Sequence, residues 1–118
     1  MAEQTYRGSC QCQAVQFEAA LDLDRTMTCN CSRCQRLGWV MAFTPRAKLN
    51  ILKGEGATTE YLFNKEVIRH QFCPVCGIET FAFAAAPDGT QMAAINVNCL
   101  DGVDPRALAS KPVDGRSR

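Results

Sequence analysis

Seven of the eight cysteines in this chain fall into three short clusters. Cys10 and Cys12 form C-x-C, Cys29, Cys31 and Cys34 form C-x-C-x-x-C, and Cys73 and Cys76 form C-x-x-C followed by Gly77. Cys99 stands alone. Sulfurs one or two residues apart can turn toward one ion, and zinc favours a tetrahedral set of such ligands. The glycine after C-x-x-C permits the tight turn that wraps a metal, and Pro74 pre-sets one backbone angle in that turn. One knuckle supplies only two ligands, so a closed site needs two knuckles. The spacing predicts that Cys10 and Cys12 join Cys73 and Cys76 around a closed, structural zinc. Cys29, Cys31 and Cys34 then hold a second zinc whose fourth position stays open, as at catalytic rather than structural centres. A different partition adds Cys99 to the triplet and closes both sites.

The chemistry has to work in a reducing compartment. The N-terminal MAEQTYRG lacks the apolar core of a signal peptide, so the expected location is the cytoplasm, where thiols bind metal rather than pair. Hydrophobic residues are 47% and charged residues 21% of 118, the make-up of a folded globular chain. A formal charge of +1 gives no strong pull toward nucleic acid or an anionic membrane. The basic stripe and reading helix of nucleic-acid binders are missing, and no apolar run reaches the roughly 20 residues that span a bilayer. Seven thiolates and two zinc ions would take the net charge to about −2. An anionic substrate would therefore need cations, and Arg33, Arg36, Lys48 and Arg69 are candidates by type. Arg33 lies inside the triplet. Trp39 follows it closely as a candidate pocket wall, although a lone Trp is more often core. For His70, strand packing is favoured over a part beside the metal. No Ser–His–Asp constellation or phosphate-binding glycine loop is present.

The elements that must position these residues are mostly short strands, in one domain over residues 1–118. Alternation points to strands in 15–23, with Val15 and Phe17 on one face, and in 39–44, 49–52, 59–63, 67–72, 78–83 and 92–97. Asn64-Lys65-Glu66 and Pro87-Asp88-Gly89 read as turns. One short helix is expected over 32–37, capped by Ser32 and stopped by Gly38. A second begins at Asp104-Pro105. The polar tail from Lys111 reads as extended. The expected fold is mainly antiparallel β, with zinc knuckles at hairpin ends.

GSCQCQAVQF, CNCSRCQRLG and HQFCPVCG, in that order over residues 6–85, closely resemble the glutathione-dependent formaldehyde-activating enzyme family, which includes centromere protein V. AAINVNCLDGVDP is similar to that family's final strand and turn. The resemblance implies a β-tent of packed antiparallel sheets. It implies a structural zinc on Cys10, Cys12, Cys73 and Cys76, and an active zinc on Cys29, Cys31 and Cys34. The implied activity is that of S-(hydroxymethyl)glutathione synthase, a carbon–sulfur lyase acting on a small thiol or its aldehyde adduct. Where the family pattern carries glycine after the second cysteine, this chain has Gln13. The other class of function is a non-catalytic, zinc-stabilised binding module.

Overall fold

The computed structural model describes residues 3–117. In chain order the strands are β1 (Gln4–Ser9), β2 (Gln16–Leu21), β3 (Met27–Cys29), β4 (Met41–Pro45), β5 (Leu49–Lys53), β6 (Thr59–Tyr61), β7 (Arg69–Phe72), β8 (Glu79–Ala85), β9 (Gln91–Asn96) and β10 (Lys111–Val113). One α-helix, α1 (Ser32–Leu37), separates β3 from β4. The chain is mainly β, as its alternation implies, and the strands form two sheets. A three-stranded antiparallel sheet has the order β1-β2-β5, and a seven-stranded sheet has the order β10-β3-β4-β9-β8-β7-β6.

Alternation decides how the sheets meet. In β2, Phe17, Ala19 and Leu21 are buried, and Val15 continues the same face. The facing sheet contributes Ala42, Phe81, Ala93 and Ile95 to that core. Phe17 and Phe81 meet edge to face across the layers, with centroids 5.9 Å apart and planes at 86°. Both are fully buried. Burying each contributes about 1.5–3 kcal/mol. At Gly8, an added Cβ would stand 2.7 Å from both the Cys99 carbonyl and the Phe17 ring. The absent side chain lets β1 close onto the segment after β9, where Gly8 bridges Leu100.

The opposite face of the large sheet is where the site lies. Met41, Ala82 and Ala94 point there and pack with Cys34 and Trp39 in a second, smaller cluster. Strand alternation thus sends one set of side chains to the core and the intervening set to the triplet.

Two local readings are corrected. Ser32 is the first residue of α1, not its cap; the cap is Cys31, whose Sγ accepts from the Cys34 amide at 3.2 Å. A negative or polarisable sulfur can take the place of a hydroxyl at a helix start. The tail from Lys111 does more than extend: β10 pairs in parallel with β3, placing Val113 opposite Cys29. The sequence could not announce that pairing, because a three-residue strand carries too little periodicity. Asp104 caps the turn at Pro105 as expected, its carboxylate accepting from the Arg106 amide at 3.0 Å.

Candidate metal centres

The first centre is built from two tight turns. Between Cys10 and β2 the chain reverses, with the Gln13 amide donating to the Cys10 carbonyl at 3.2 Å. Gln13 adopts a φ of 67°, in the left-handed region that suits glycine. Between β7 and β8 the C-x-x-C turn closes through the Gly77 amide and the Cys73 carbonyl at 2.9 Å, and Gly77 has a φ of 79°. These turns bring together residues 61 positions apart. Cys12 Sγ lies 3.7 Å from Cys10 Sγ and 3.6 Å from Cys73 Sγ. The sulfurs of Cys10, Cys12, Cys73 and Cys76 all lie within 4.8 Å of one another. Zn–S bonds of roughly 2.3 Å at the tetrahedral angle set sulfurs about 3.8 Å apart, so this set fits zinc. The Val15 amide donates to Cys10 Sγ at 3.4 Å, and the Val75 and Cys76 amides donate to Cys73 Sγ at 3.4 and 3.5 Å. Such donors favour the thiolate form that a metal needs. As a free thiol Cys76 is lowered to about 6: burial raises it, but the backbone amides of Cys12 and Ile78 together with the Cys10 and Cys73 thiols outweigh burial.

The second centre is local in sequence. Cys29 ends β3, Cys31 caps α1 and Cys34 lies one turn inside the helix. Their three sulfurs also lie within 4.8 Å of one another, so this group too could hold a metal ion. The Cys31 amide donates to Cys29 Sγ at 3.5 Å. As a free thiol Cys34 is pushed up to about 12, chiefly by burial. The indole N–H of Trp39 opposes that shift without forming a regular hydrogen bond. Cys31 is lowered: burial raises it, and the Cys34 amide and thiol, the Arg33 amide and the Cys29 thiol together more than compensate. Among the described residues, no His, Asp or Glu joins the three sulfurs within that distance.

Cys99 does not complete the triplet. It packs with Cys10 and Cys76 in the main core, whereas Cys29, Cys31 and Cys34 belong to the other cluster. Burial pushes Cys99 up to about 12, helped by repulsion from Cys10 and Cys76. Of the two partitions open to the sequence, the structure gathers the cysteines as four plus three, with Cys99 beside the four.

The two centres are joined by a buried carboxylate that sequence reasoning missed. Glu79 opens β8 with its side chain fully buried. Its Oε1 accepts from Arg33 Nη2 at 2.7 Å and Arg33 Nε at 3.0 Å. Its Oε2 lies 2.8 Å from Nδ1 of the buried His70. The Arg33 guanidinium stacks 4.5 Å above the Tyr61 ring. The available signal was a carboxylate at the head of an apolar strand, ETFAFAA, where burial demands partners. Arg33 is therefore committed to Glu79. Arg36 donates to the Ser32 carbonyl at 2.9 Å and is exposed. Lys48 pairs with Glu3 and Arg69 with Glu60.

A groove of about 560 Å³ opens on Cys29 and Cys34. Trp39, Met41 and Phe43 wall one side, Val67 and Ile68 another, and Val113 of β10 closes the end beside β3. Trp39 is 3% exposed, so it is both core and wall. His70 borders the groove as well, and its Nε2 is buried without a partner. A neighbouring hollow of about 330 Å³ shares Cys34 and His70 and adds Cys31, Lys65 and Glu66. Arg33 and Arg36 line a third hollow, of about 450 Å³, together with Ser32, Leu37, Tyr61 and Phe63.

A family model described as glutathione-dependent formaldehyde-activating enzyme matches residues 5–113. A solved crystal structure of a Rhodobacter sphaeroides protein, a structural genomics target, has the same fold with a TM-score of 0.79. It is 32% identical to this chain, and the alignment covers 90% of this chain and 97% of that one. No helix among the described residues is long and apolar enough to cross a membrane.

Proposed function

The chain belongs to the glutathione-dependent formaldehyde-activating enzyme family, and on that premise we propose that it is a zinc-dependent carbon–sulfur lyase for thiol–aldehyde adducts. The reaction joins R–SH and formaldehyde as R–S–CH₂OH, or reverses it. One carbon–sulfur bond forms, the aldehyde π bond opens, and the thiol proton ends on the new hydroxyl oxygen. No oxidant or reductant is needed. Cys29, Cys31 and Cys34 are the residues that hold the reactive zinc, whereas Cys10, Cys12, Cys73 and Cys76 hold a structural one. Held at the triplet, zinc would supply the Lewis acidity that stabilises a thiolate at neutral pH.

The single observation that supports the reading is a three-sulfur group beside a groove. The four-cysteine group offers four sulfurs from the chain, whereas the triplet offers three, so a zinc held there would take its remaining ligand from outside. The chain's own part is positioning. The α1 cap orients Cys31 and Cys34, Trp39 and Met41 keep water from the sulfur side, and β10 fixes Cys29 through its backbone. Trp39 contributes as an apolar wall.

The test is the zinc content of the intact protein and of Cys31→Ser and Cys73→Ser, with glutathione titrated while X-ray absorption follows sulfur coordination. Two zincs in the wild type are expected, with a thiol-dependent rise in sulfur coordination that Cys31→Ser abolishes. Exchange of ¹³C-formaldehyde with the S-hydroxymethyl adduct, read by NMR, should then be faster with wild type than with Cys31→Ser. A triplet that takes no thiol would leave a zinc-stabilised binding module.

A further inference from the structure

The groove beside the triplet differs in chemistry from what a charged tripeptide thiol requires. Its floor is made of alanines. Ala82 and Ala84 of β8 and Ala94 of β9 point to the triplet side, so the sheet surface stays low there. Its walls are thioether, aromatic and branched aliphatic groups, of which Phe43 is 45% and Val67 68% exposed. Apart from the cysteines, His70 is its one titratable lining residue. The Nδ1 of that histidine faces Glu79.

Cations that could receive carboxylates are committed or lie elsewhere. Arg33 is held by Glu79, and the hollow it shares with Arg36 has no cysteine in its lining. Lys65 borders the neighbouring hollow next to Glu66, so local charge there is balanced. Glutathione carries two carboxylates and one ammonium. Two lining atoms, Trp39 Nε1 and His70 Nε2, are buried without a partner, but no guanidinium or ammonium of the described residues lines the groove, so two carboxylates laid there lose hydration with no fixed cation to offset them. An aryl or alkyl body loses nothing there and gains from burial. The groove's 560 Å³ falls in the range of small-molecule sites.

We propose that the preferred substrate is an uncharged thiol with an apolar aryl or alkyl body, or its formaldehyde adduct, lying along Met41, Phe43 and Ala84 with its sulfur at Cys29 and Cys34. This rests on the reading of the triplet as an open thiol-binding centre and names the substrate class of that same site. The covalent step is unchanged: one carbon–sulfur bond forms and the thiol proton passes to the aldehyde oxygen.

The test uses the full chain loaded with cobalt(II), whose visible absorption reports a new sulfur ligand. The probes are 2-phenylethanethiol and glutathione. Trp39 is the one tryptophan in the chain, so its fluorescence reports groove filling independently. The expected result is at least tenfold tighter binding of 2-phenylethanethiol, with a Trp39 response that glutathione does not give. Ala84→Leu, which raises the floor, should reduce that preference severalfold. Phe43→Asp, at an exposed rim position, should do so by adding charge and serves if the first variant misfolds. Tighter binding of glutathione, or a preference untouched in both variants, overturns this inference while the thiol-binding centre stands. If neither thiol alters the cobalt absorption, the centre itself is refuted and this inference falls with it.

Discussion

Arg33 and Glu79, 46 residues apart, meet through two hydrogen bonds of 2.7 and 3.0 Å to one carboxylate oxygen. Arg33 stands between Cys31 and Cys34, and Glu79 stands three residues after Cys76. The contact therefore ties the helix of the three-sulfur centre to the strand leaving the four-sulfur centre. His70, three residues before Cys73, binds the other oxygen of Glu79. The carboxylate is a mechanical link between the two cysteine groups.

Removing that link should be costly. Glu79→Ala leaves the Arg33 guanidinium and the buried His70 without their acceptor, and breaking a buried pair in this way costs about 3–5 kcal/mol. Urea unfolding of the zinc-loaded protein at pH 7 measures it. A loss under about 1 kcal/mol would show that the network adds little.

Asn30 holds the triplet from outside. Its side chain donates to Asp114 Oδ1 at 3.0 Å and accepts from the Arg116 amide at 2.9 Å, while its own amide donates to the Val113 carbonyl at 3.2 Å. Asn30→Ala keeps all seven clustered cysteines but frees the turn between Cys29 and Cys31. Zinc affinity of the triplet should fall about 10-fold or more, the usual effect of losing a partner that orients ligands. Chelator competition would read it, and the four-cysteine site should keep its metal.

Zinc uptake should depend on pH with a definite sign. The Cys34 thiol, raised to about 12 by burial, keeps its proton at neutral pH until a cation displaces it. Protons therefore compete with the metal, and raising the pH tightens binding. Across pH 6.5–8.5 the triplet's apparent zinc affinity should rise by at least about tenfold per pH unit. A flat profile would mean that Cys34 is not a ligand.

The two centres should differ in what their metal supports. Cys73→Ser opens the site that joins residues 61 positions apart, and should lower the thermal midpoint by roughly 10 °C or more, since each 1 kcal/mol shifts a domain of this size by about 4 °C. Cys31→Ser disturbs a site local in sequence and should leave circular dichroism unchanged. Equal losses of structure in both variants would contradict the division of labour.

Gln13 adopts a left-handed backbone while its side chain is exposed. Gln13→Gly relieves a strain of about 1–2 kcal/mol, offset in part by the greater freedom of glycine in the unfolded chain. A net gain of up to about 1 kcal/mol is expected in denaturant unfolding. A clear loss would mean that the turn is not under strain.

The cysteine spacing marked three short clusters as candidate ligand groups, because two sulfurs one or two residues apart have few ways to converge, and it left open which clusters meet. Gly38 marked the end of α1, where it adopts a φ of 67°, and alternation marked the buried face of β2, which follows the two-residue period of a strand. Only the tertiary structure decided that Cys99 stands by the four-cysteine group and not the triplet. The same holds for the commitment of Arg33 to Glu79, the parallel pairing of β10 with Cys29's strand, and the apolar groove beside Cys34. Each of those depends on contacts between segments far apart in the chain, as where β10 lies beside β3 and β9 beside β4. Local spacing constrains the backbone within a turn, whereas contacts across a sheet are chosen by how whole faces bury together.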